Sequence, residues 1–264
     1  MLMMKKWFAI IIIIALSILA GRQYFKIFVS KTPSSDNVLS AVKTPSITPT
    51  LPNQTAIIYL DGNPIYVSWA EVAPEQGNLY SNIKDQQLSE QIKAEKSCQI
   101  LVNGGFYSKE NTHLGLFITN SEIISKEIKN DTLNGFMWIN GKSVFIKSFS
   151  PNIIPNIALQ SGPLLMQNDQ PLSLEINNDE QNRRIVAATT IDNKLFFLVF
   201  YNGKSDFEGP LLGQLPVALD LFKKQTGIKI IDAINLDGGS ASVFISNYVQ
   251  LRELTYVGSY FCIK

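Results

Sequence analysis

The chain contains an apolar run that ends at a carboxylate and two glycines, Ile230-Ile231-Asp232-Ala233-Ile234-Asn235-Leu236-Asp237-Gly238-Gly239-Ser240-Ala241-Ser242. Its apolar part has the length of one β-strand. Paired glycines at a strand end allow backbone N–H groups to approach a ligand closely. We therefore expect a strand that carries the following residues into a binding site: Asp237, Gly238, Gly239, Ser240 and Ser242.

The sequence around this segment is mostly short apolar runs joined by turn residues. Asn140-Gly141, between two such runs, is the strongest short hairpin signal, and Asp61-Gly62-Asn63 and Asp192-Asn193 occupy similar positions. Helical spacing of apolar residues predicts helices over 84–95 and 215–225. Strict strand–helix alternation is missing. The predicted class is α+β, with antiparallel or mixed β-sheets and two or three helices in a single globular domain over residues 56–264.

Residues 1–30 differ from the remainder of the chain. Two lysines precede an apolar run over residues 7–20, which is shorter than the roughly 20 residues that span a bilayer comfortably. This pattern is typical of a signal peptide or a signal anchor, and the poor cleavage site before Gly21 favours the anchor. Residues 31–55 are rich in Pro, Ser and Thr and predict a linker. We expect an extracytoplasmic domain, anchored in the membrane through residues 7–20 or secreted.

Charge and cysteine content exclude several classes of function. The formal net charge is +1 without a long basic run, so no nucleic-acid partner is expected. The spacing of the two cysteines and the single histidine makes no metal site, and neither a metal nor another cofactor is expected. Cys98 and Cys262 are either a disulfide or two small buried apolar residues. His113 lies in a polar segment and is expected at the surface.

Three further segments place polar residues or glycines beside an apolar strand. They are Asn103-Gly104-Gly105-Phe106-Tyr107, Gln160-Ser161-Gly162-Pro163-Leu164-Leu165, and Arg183-Arg184 before Ile185. Each one alone is more typical of a turn or of a solvated strand entrance than of a site. We nevertheless expect Asn103, Ser161, Arg184 and Asp237 to line one pocket, because all four lie at strand ends, most of them beside glycines.

The order of the four segments resembles the phosphodiester glycosidase family, which includes the lysosomal uncovering enzyme. The resemblance extends from about Ile57 to the carboxyl terminus and implies hydrolysis of a sugar 1-phosphodiester on a cell-envelope or extracellular glycan. Three positions depart from the family pattern. Ser240 stands at the third glycine of the last motif, Ala241 replaces a hydroxyl residue, and Ile185 follows the arginine. These departures bear on substrate identity and activity more than on fold.

The resemblance and the residue types together imply specific roles. Arg184 is expected to bind the phosphate in a bidentate manner, which lysine cannot imitate. Asp237 is the expected nucleophile, general base or oxocarbenium stabiliser, and Glu208 is the candidate second carboxylate, ahead of Asp206 and Asp232.

The other expected contacts come from backbone and small polar groups. Backbone N–H groups of Gly104-Gly105 and Gly238-Gly239 are expected to share the phosphate charge. Substrate-binding roles are expected for Asn103, Gly104, Gly105, Phe106, Ser161, Gly162, Gly238, Gly239, Ser240 and Ser242. Arg183 should lie on the opposite face of the strand from Arg184.

Two other functions compete with hydrolysis. One is a non-catalytic envelope module that binds anionic glycans or sugar phosphates, and the other is a structural anchor and scaffold. A pure anion binder gains nothing from a carboxylate at Asp237, and a scaffold requires no convergence of the four segments. The enzyme is therefore the leading hypothesis.

Overall fold

A computed structural model describes residues 54–264 of the chain. The expected hydrophobic segment over residues 1–30 and nearly all of the expected linker lie outside the described residues. Within residues 54–264, no helix is long and apolar enough to cross a membrane.

The described residues form seventeen strands and two α-helices. The strands are β1 (Thr55–Leu60), β2 (Asn63–Val72), β3 (Asn78–Ser81), β4 (Ile100–Asn103), β5 (Phe117–Thr119), β6 (Glu122–Ser125), β7 (Gly135–Asn140), β8 (Ser143–Lys147), β9 (Ile157–Ser161), β10 (Leu164–Gln167), β11 (Gln170–Pro171), β12 (Arg184–Thr190), β13 (Leu195–Tyr201), β14 (Ile230–Asn235), β15 (Phe244–Ile245), β16 (Gln250–Leu251) and β17 (Ser259–Ile263). The helices are α1 (Ser89–Lys96) and α2 (Leu215–Thr226).

The strands form three sheets. The first has seven strands in the order β1-β2-β13-β12-β14-β10-β11, the second has the order β16-β15-β4-β17-β3, and the third has the order β6-β5-β9-β7-β8. Every strand pair in residues 54–264 is antiparallel. The predicted hairpins at Asp61-Gly62, Asn140-Gly141 and Asp192-Asn193 are confirmed by the pairs β1–β2, β7–β8 and β12–β13.

One apolar core joins the three sheets, because residues such as Val102, Met137 and Phe197, one from each sheet, pack in the same cluster. The other face of the seven-stranded sheet is covered by α2, which buries Leu215, Leu219 and Phe222 against it. The helix predicted over 215–225 is thereby confirmed, and Gly227 ends it with a left-handed φ of 77°.

The expected class is therefore only roughly right. The described part of the chain is strand-dominated with two helices, and its sheets are antiparallel rather than mixed. The first helix also begins later than predicted, at Ser89. The Asn82 side chain explains this difference, because its amide donates to the Gln87 carbonyl at 2.9 Å and its oxygen accepts from the Gln87 N–H at 3.0 Å. These bonds hold residues 82–87 in a loop.

Candidate functional site

Asp237 lies two residues after the end of β14 and is held in place through its backbone. Its N–H donates to the Gly104 carbonyl at 3.2 Å, and its carbonyl accepts from the Asn103 side-chain amide at 2.8 Å. The Asn103 side-chain oxygen accepts from the Val243 N–H at 2.9 Å. Asn103 therefore fixes both ends of the loop that carries Asp237, Gly238 and Gly239.

The Asp237 carboxyl group is half-buried. Burial raises its pKa from 3.8 to about 7, against the opposing effect of a hydrogen bond from the Gly238 N–H at 2.9 Å. A carboxyl group that titrates near neutral pH can take or give a proton during a reaction. Such perturbed groups are concentrated at functional sites.

The Gln160–Leu165 segment meets the last motif through Asn235. The Ser161 hydroxyl donates to the Asn235 carbonyl at 2.7 Å, and the Asn235 side-chain amide donates to the Gly162 carbonyl at 2.9 Å. Asn235 was not among the predicted site residues, although it lies two positions before Asp237. Its side-chain oxygen is buried and has no hydrogen-bond partner among the described residues.

Two of the expected substrate-binding residues, Asn103 and Ser161, are buried in the structure. They were expected to contact substrate, but they are 1% and 0% exposed. Their side chains make their hydrogen bonds inside the protein. Both side chains hold the segments next to Asp237 through these bonds.

Arg183 was expected on the opposite face of the strand from Arg184, and the two guanidinium groups do bind different partners. The Arg183 guanidinium is fully buried, and Nε donates to the Ser242 hydroxyl at 2.7 Å. Nη2 donates to the carbonyls of Ser242 and Arg252, and Nη1 donates to the Asp206 carbonyl at 3.0 Å. Burial lowers the Arg183 pKa to about 10, so the side chain stays charged at neutral pH. Arg183 thus ties the end of the last motif to two other loops.

Arg184 lies beside the motif but already has partners. Its Cδ atom would be 3.9 Å from a Cβ placed on Gly238, so the side chain lies next to that glycine. Nε donates to the Pro210 carbonyl at 3.2 Å, and Nη2 contacts Asp179 Oδ1 at 3.3 Å and the Glu180 carbonyl. Only Nη1 lacks an acceptor within residues 54–264. The fork expected to make a bidentate phosphate contact is therefore occupied in this conformation.

Most backbone N–H groups expected to bind an anion are also used internally. The N–H of Gly104 donates to the Ser259 carbonyl at 2.8 Å, and that of Gly239 donates to the Arg183 carbonyl at 3.0 Å. The Gly238 N–H is bound to Asp237, as described above. The Gly105 N–H has no acceptor among the described residues. Gly239 has a φ of 64°, which explains the preference for glycine there.

The aromatic residues after Gly105 lie at the edge of this cluster. Phe106 and Tyr107 are half-buried. The Tyr107 ring is 5.4 Å from the Tyr256 ring, and its hydroxyl donates to the Tyr256 carbonyl at 2.9 Å. Burial raises the Tyr107 pKa, and the negative charge of Asp237 raises it further. Tyr107 therefore lies next to Tyr256 at the edge of the site. The sequence pattern did not reveal this neighbour.

The proposed second carboxylates do not join the cluster. Glu208 is exposed, and its side chain has no hydrogen bond to a residue in 54–264. Asp206 is also exposed and contributes a backbone carbonyl to Arg183. Asp232 is buried and bound to Lys147 Nζ at 2.8 Å and to the Asn168 N–H at 2.9 Å. Ser242 is buried beside Arg183, and Ser240 is exposed at the loop surface.

Cys98 and Cys262 form a disulfide, with Cα atoms 5.3 Å apart. The bond joins the entrance of β4 to β17, and these two strands are paired next to each other. Since β4 ends at Asn103, the disulfide braces the strand that holds the Asp237 loop. Of the two possibilities left open by the sequence, the disulfide is the one observed.

The solved structures with a similar fold include one protein from Synechocystis and one from zebrafish. A protein from Synechocystis described as hypothetical has a TM-score of 0.62 and 11% identity over 80% of this chain, which spans 61% of that protein. The zebrafish N-acetylglucosamine-1-phosphodiester alpha-N-acetylglucosaminidase catalytic domain, auto-inhibited by its pro-peptide, has a TM-score of 0.58 and 16% identity. That match covers 79% of this chain and 81% of the zebrafish chain. At these identities the likeness establishes a shared fold. No curated protein sequence matches the chain.

The class defined here is a strand-dominated domain whose separate Asn-Gly-Gly, Ser-Gly-Pro and Arg segments all contact the last motif, from Asn235 to Gly239. The sequence profile described as phosphodiester glycosidase matches residues 96–263, which contain all four segments. The chain belongs to the phosphodiester glycosidase family.

Proposed function

We propose that this protein hydrolyses the bond between C1 of a sugar and the oxygen of a phosphodiester on an extracytoplasmic glycan. The observation that carries this proposal is the half-buried Asp237 carboxyl group with a pKa of about 7, at the meeting point of the family's motifs. A carboxyl group with this pKa changes its protonation state at neutral pH and suits general acid–base chemistry at a sugar carbon.

In the proposed reaction, ionised Asp237 takes a proton from a water molecule whose oxygen attacks C1. The bond between C1 and the bridging oxygen breaks, and its electron pair leaves with the phosphate as a monoester. The proton on Asp237 is then released to solvent. A phosphate leaving group needs less protonation than an alcohol, so one carboxyl group suffices. This is consistent with the exposed positions of Glu208 and Asp206.

The phosphate binds between Arg184 and the turn after Asn103. Arg184 Nη1 and the Gly105 N–H supply the available donors, and both flank the Asp237 loop. Negative charge increases on the departing phosphate, so these donors stabilise the transition state more than the ground state. Asp179 holds Arg184 in position in the free protein, at a distance of 3.3 Å.

The extracytoplasmic location is part of the same proposal. The Cys98–Cys262 disulfide supports it, because disulfides persist mainly in oxidising compartments. The apolar run over residues 7–20 supports an anchor in the membrane or a secretion signal. A reporter enzyme fused after Lys264 should be active only outside the cytoplasm, and activity confined to the cytoplasm would contradict the location.

Turnover of a chromogenic sugar 1-phosphodiester tests the activity. The protein should release free sugar and a phosphate monoester, and Asp237→Asn should lower kcat by about 100-fold or more while changing KM little. Ser148→Ala, an exposed change distant in sequence from all four segments, serves as the control. Binding of the ester without any turnover would instead support the anionic-glycan module.

A further inference from the structure

The third sheet carries a row of apolar side chains across all five of its strands. Ile118, Ala158 and Trp138 lie opposite one another on β5, β9 and β7, and they belong to an apolar cluster separate from the core that joins the three sheets. The row continues to Ile123 on β6 and to Phe145 on β8, and both of these side chains are exposed. Residues directly opposite each other in antiparallel strands carry their side chains on the same face. The outer face of this sheet is therefore one continuous apolar surface.

A loop over residues 149–156, between β8 and β9, extends this surface. The Phe149 ring lies 6.2 Å from the Trp138 ring, measured between centroids. At the other end of the loop, the Gly141 N–H donates to the Asn156 side-chain oxygen at 2.7 Å. The loop is thus attached to the β7–β8 hairpin at both ends, and its side chains project from the same region as the apolar row.

The loop presents large apolar side chains to solvent. Phe149, Ile153 and Ile154 are 62%, 50% and 58% exposed, respectively. No charged residue lies between Phe149 and Asn156. Contiguous exposed apolar surface of this kind marks a contact site for another protein or for a membrane. The loop and the outer face of the third sheet therefore form a candidate docking surface.

The remainder of the chain indicates a membrane as the occupant. The apolar run over residues 7–20 is the proposed anchor, and residues 21–53 join it to the folded domain. At about 3.4 Å per residue, that connection reaches at most about 110 Å. Such a tether confines the domain near the bilayer, where its high effective concentration allows even a weak contact to persist.

The chemistry of the loop also suits lipid. A charged side chain is costly to place in the apolar part of a bilayer, and this loop brings none. Lys142 is exposed in the β7–β8 turn, next to the residue that binds Asn156. A lysine in this position can contact the phosphates of anionic lipid headgroups while the neighbouring apolar side chains enter the interface.

We propose that Phe149, Ile153 and Ile154 insert into the surface of the membrane that anchors the protein, and that the domain docks there through its third sheet. The proposal rests on the proposed membrane anchor and does not depend on the hydrolytic activity. Docking would orient the domain towards glycans of the same membrane. β9 contributes Ala158 to the docking face and ends at Ser161, which binds the Asn235 carbonyl next to the Asp237 loop.

Photolabelling from lipid tests the proposal on the full-length chain. The protein is reconstituted in vesicles of phosphatidylcholine with a minor share of phosphatidylglycerol, together with a phospholipid that carries a photoreactive diazirine on its acyl chain. Mass spectrometry after irradiation and digestion then locates the label. We expect label in residues 149–156 as well as in residues 7–20.

Substitutions in the loop provide the matched comparison. Phe149→Ser and Ile154→Ser should each weaken the contact with lipid by about tenfold, because about half of each side chain is available for burial. The double variant should therefore lose most of the label in the loop, while its urea midpoint stays close to that of the parent. Tyr59→Ser is the control. Tyr59 is 65% exposed, but it lies on β1, the edge strand of the seven-stranded sheet, so its replacement should leave the label in the loop unchanged.

The pattern of labelling separates docking from the other proposals. Label in residues 7–20 alone, or an equal loss of loop label in Tyr59→Ser, would overturn the docking surface. Cross-links between two copies through residues 149–156, in place of lipid label, would overturn it in favour of a second copy of the chain. Label in the loop without label in residues 7–20 would support docking and count against the anchor. Loop label in a protein that does not hydrolyse a sugar 1-phosphodiester would support docking and count against the proposed function.

Discussion

Replacing Asp237 by asparagine should stabilise the folded protein at neutral pH while removing its activity. The folded-state pKa of this carboxyl group is about 7, against 3.8 without the protein environment. Below pH 3.8 the carboxyl group is protonated in both the folded and the unfolded state, and it does not lower the free energy of unfolding. As the pH rises from about 4 to 7, Asp237 ionises in the unfolded chain but stays protonated in the folded protein. The unfolded state is thereby favoured, and the free energy of unfolding falls. The full cost is present above pH 7, with a ceiling of about 4 kcal/mol.

The assay is urea unfolding at pH 4 and at pH 8, followed by tryptophan fluorescence. Asp237→Asn keeps the size and an acceptor for the Gly238 N–H, so its free energy of unfolding should exceed that of the parent at pH 8 and match it at pH 4. Asp232→Asn is the control. Asp232 is ion-paired to Lys147 at 2.8 Å, so its replacement should destabilise the fold. The reasoning is refuted if Asp237→Asn gains no stability at pH 8, or gains as much at pH 4.

Four further predictions follow from the same contacts. The kcat/KM for a sugar 1-phosphodiester should rise with pH through about 7 as Asp237 ionises, and a profile that falls there would contradict its role as base. Arg183→Met should lower the free energy of unfolding by about 3–5 kcal/mol, because three backbone carbonyls and the buried Ser242 hydroxyl lose their donor; a cost below about 1 kcal/mol would count against this network. Reducing the Cys98–Cys262 bond, which joins residues 164 positions apart, should lower the urea midpoint of unfolding. The loss in free energy of unfolding has an entropic ceiling of about 5 kcal/mol. An unchanged midpoint would count against the bond. Finally, His113 should titrate near pH 4 in an NMR experiment. The stability that the neutral ring contributes is complete above its usual pKa of 6.5 and should be lost as the pH falls from 6.5 towards 4. Titration near 6.5 would show that the ring is not buried.

Local sequence signals predicted the elements that depend on local physics. The Asn140-Gly141 turn, the Leu215–Thr226 helix and the strand before Asp237 are each specified by residues within a few positions of one another. The convergence of the four motif segments was also predicted, but through their order and the family resemblance. Nothing in their spacing alone brings Gly104 within hydrogen-bond distance of Asp237.

Individual side-chain roles were predicted less well, because they depend on distant partners. Alternation along a strand placed Arg183 opposite Arg184, but it did not reveal that Arg183 is buried against the last motif. Its partners Ser242 and Arg252 lie 59 and 69 positions later in the chain. Asn103 is similar, since its side chain is used by a loop 134 and 140 positions away. A sequence pattern identifies such polar residues but does not reveal whether they face a ligand or the protein.

Which bond breaks is the most direct test of the central claim, because a glycosidase cleaves at the sugar carbon and a phosphodiesterase cleaves at phosphorus. Hydrolysis of a sugar 1-phosphodiester in water labelled with heavy oxygen, read early by mass spectrometry, distinguishes the two. The account predicts that the label enters the C1 hydroxyl of the released sugar and that Asp237→Asn slows its incorporation by about 100-fold or more. Label in the phosphate monoester instead would contradict attack at C1 and the role assigned to Asp237.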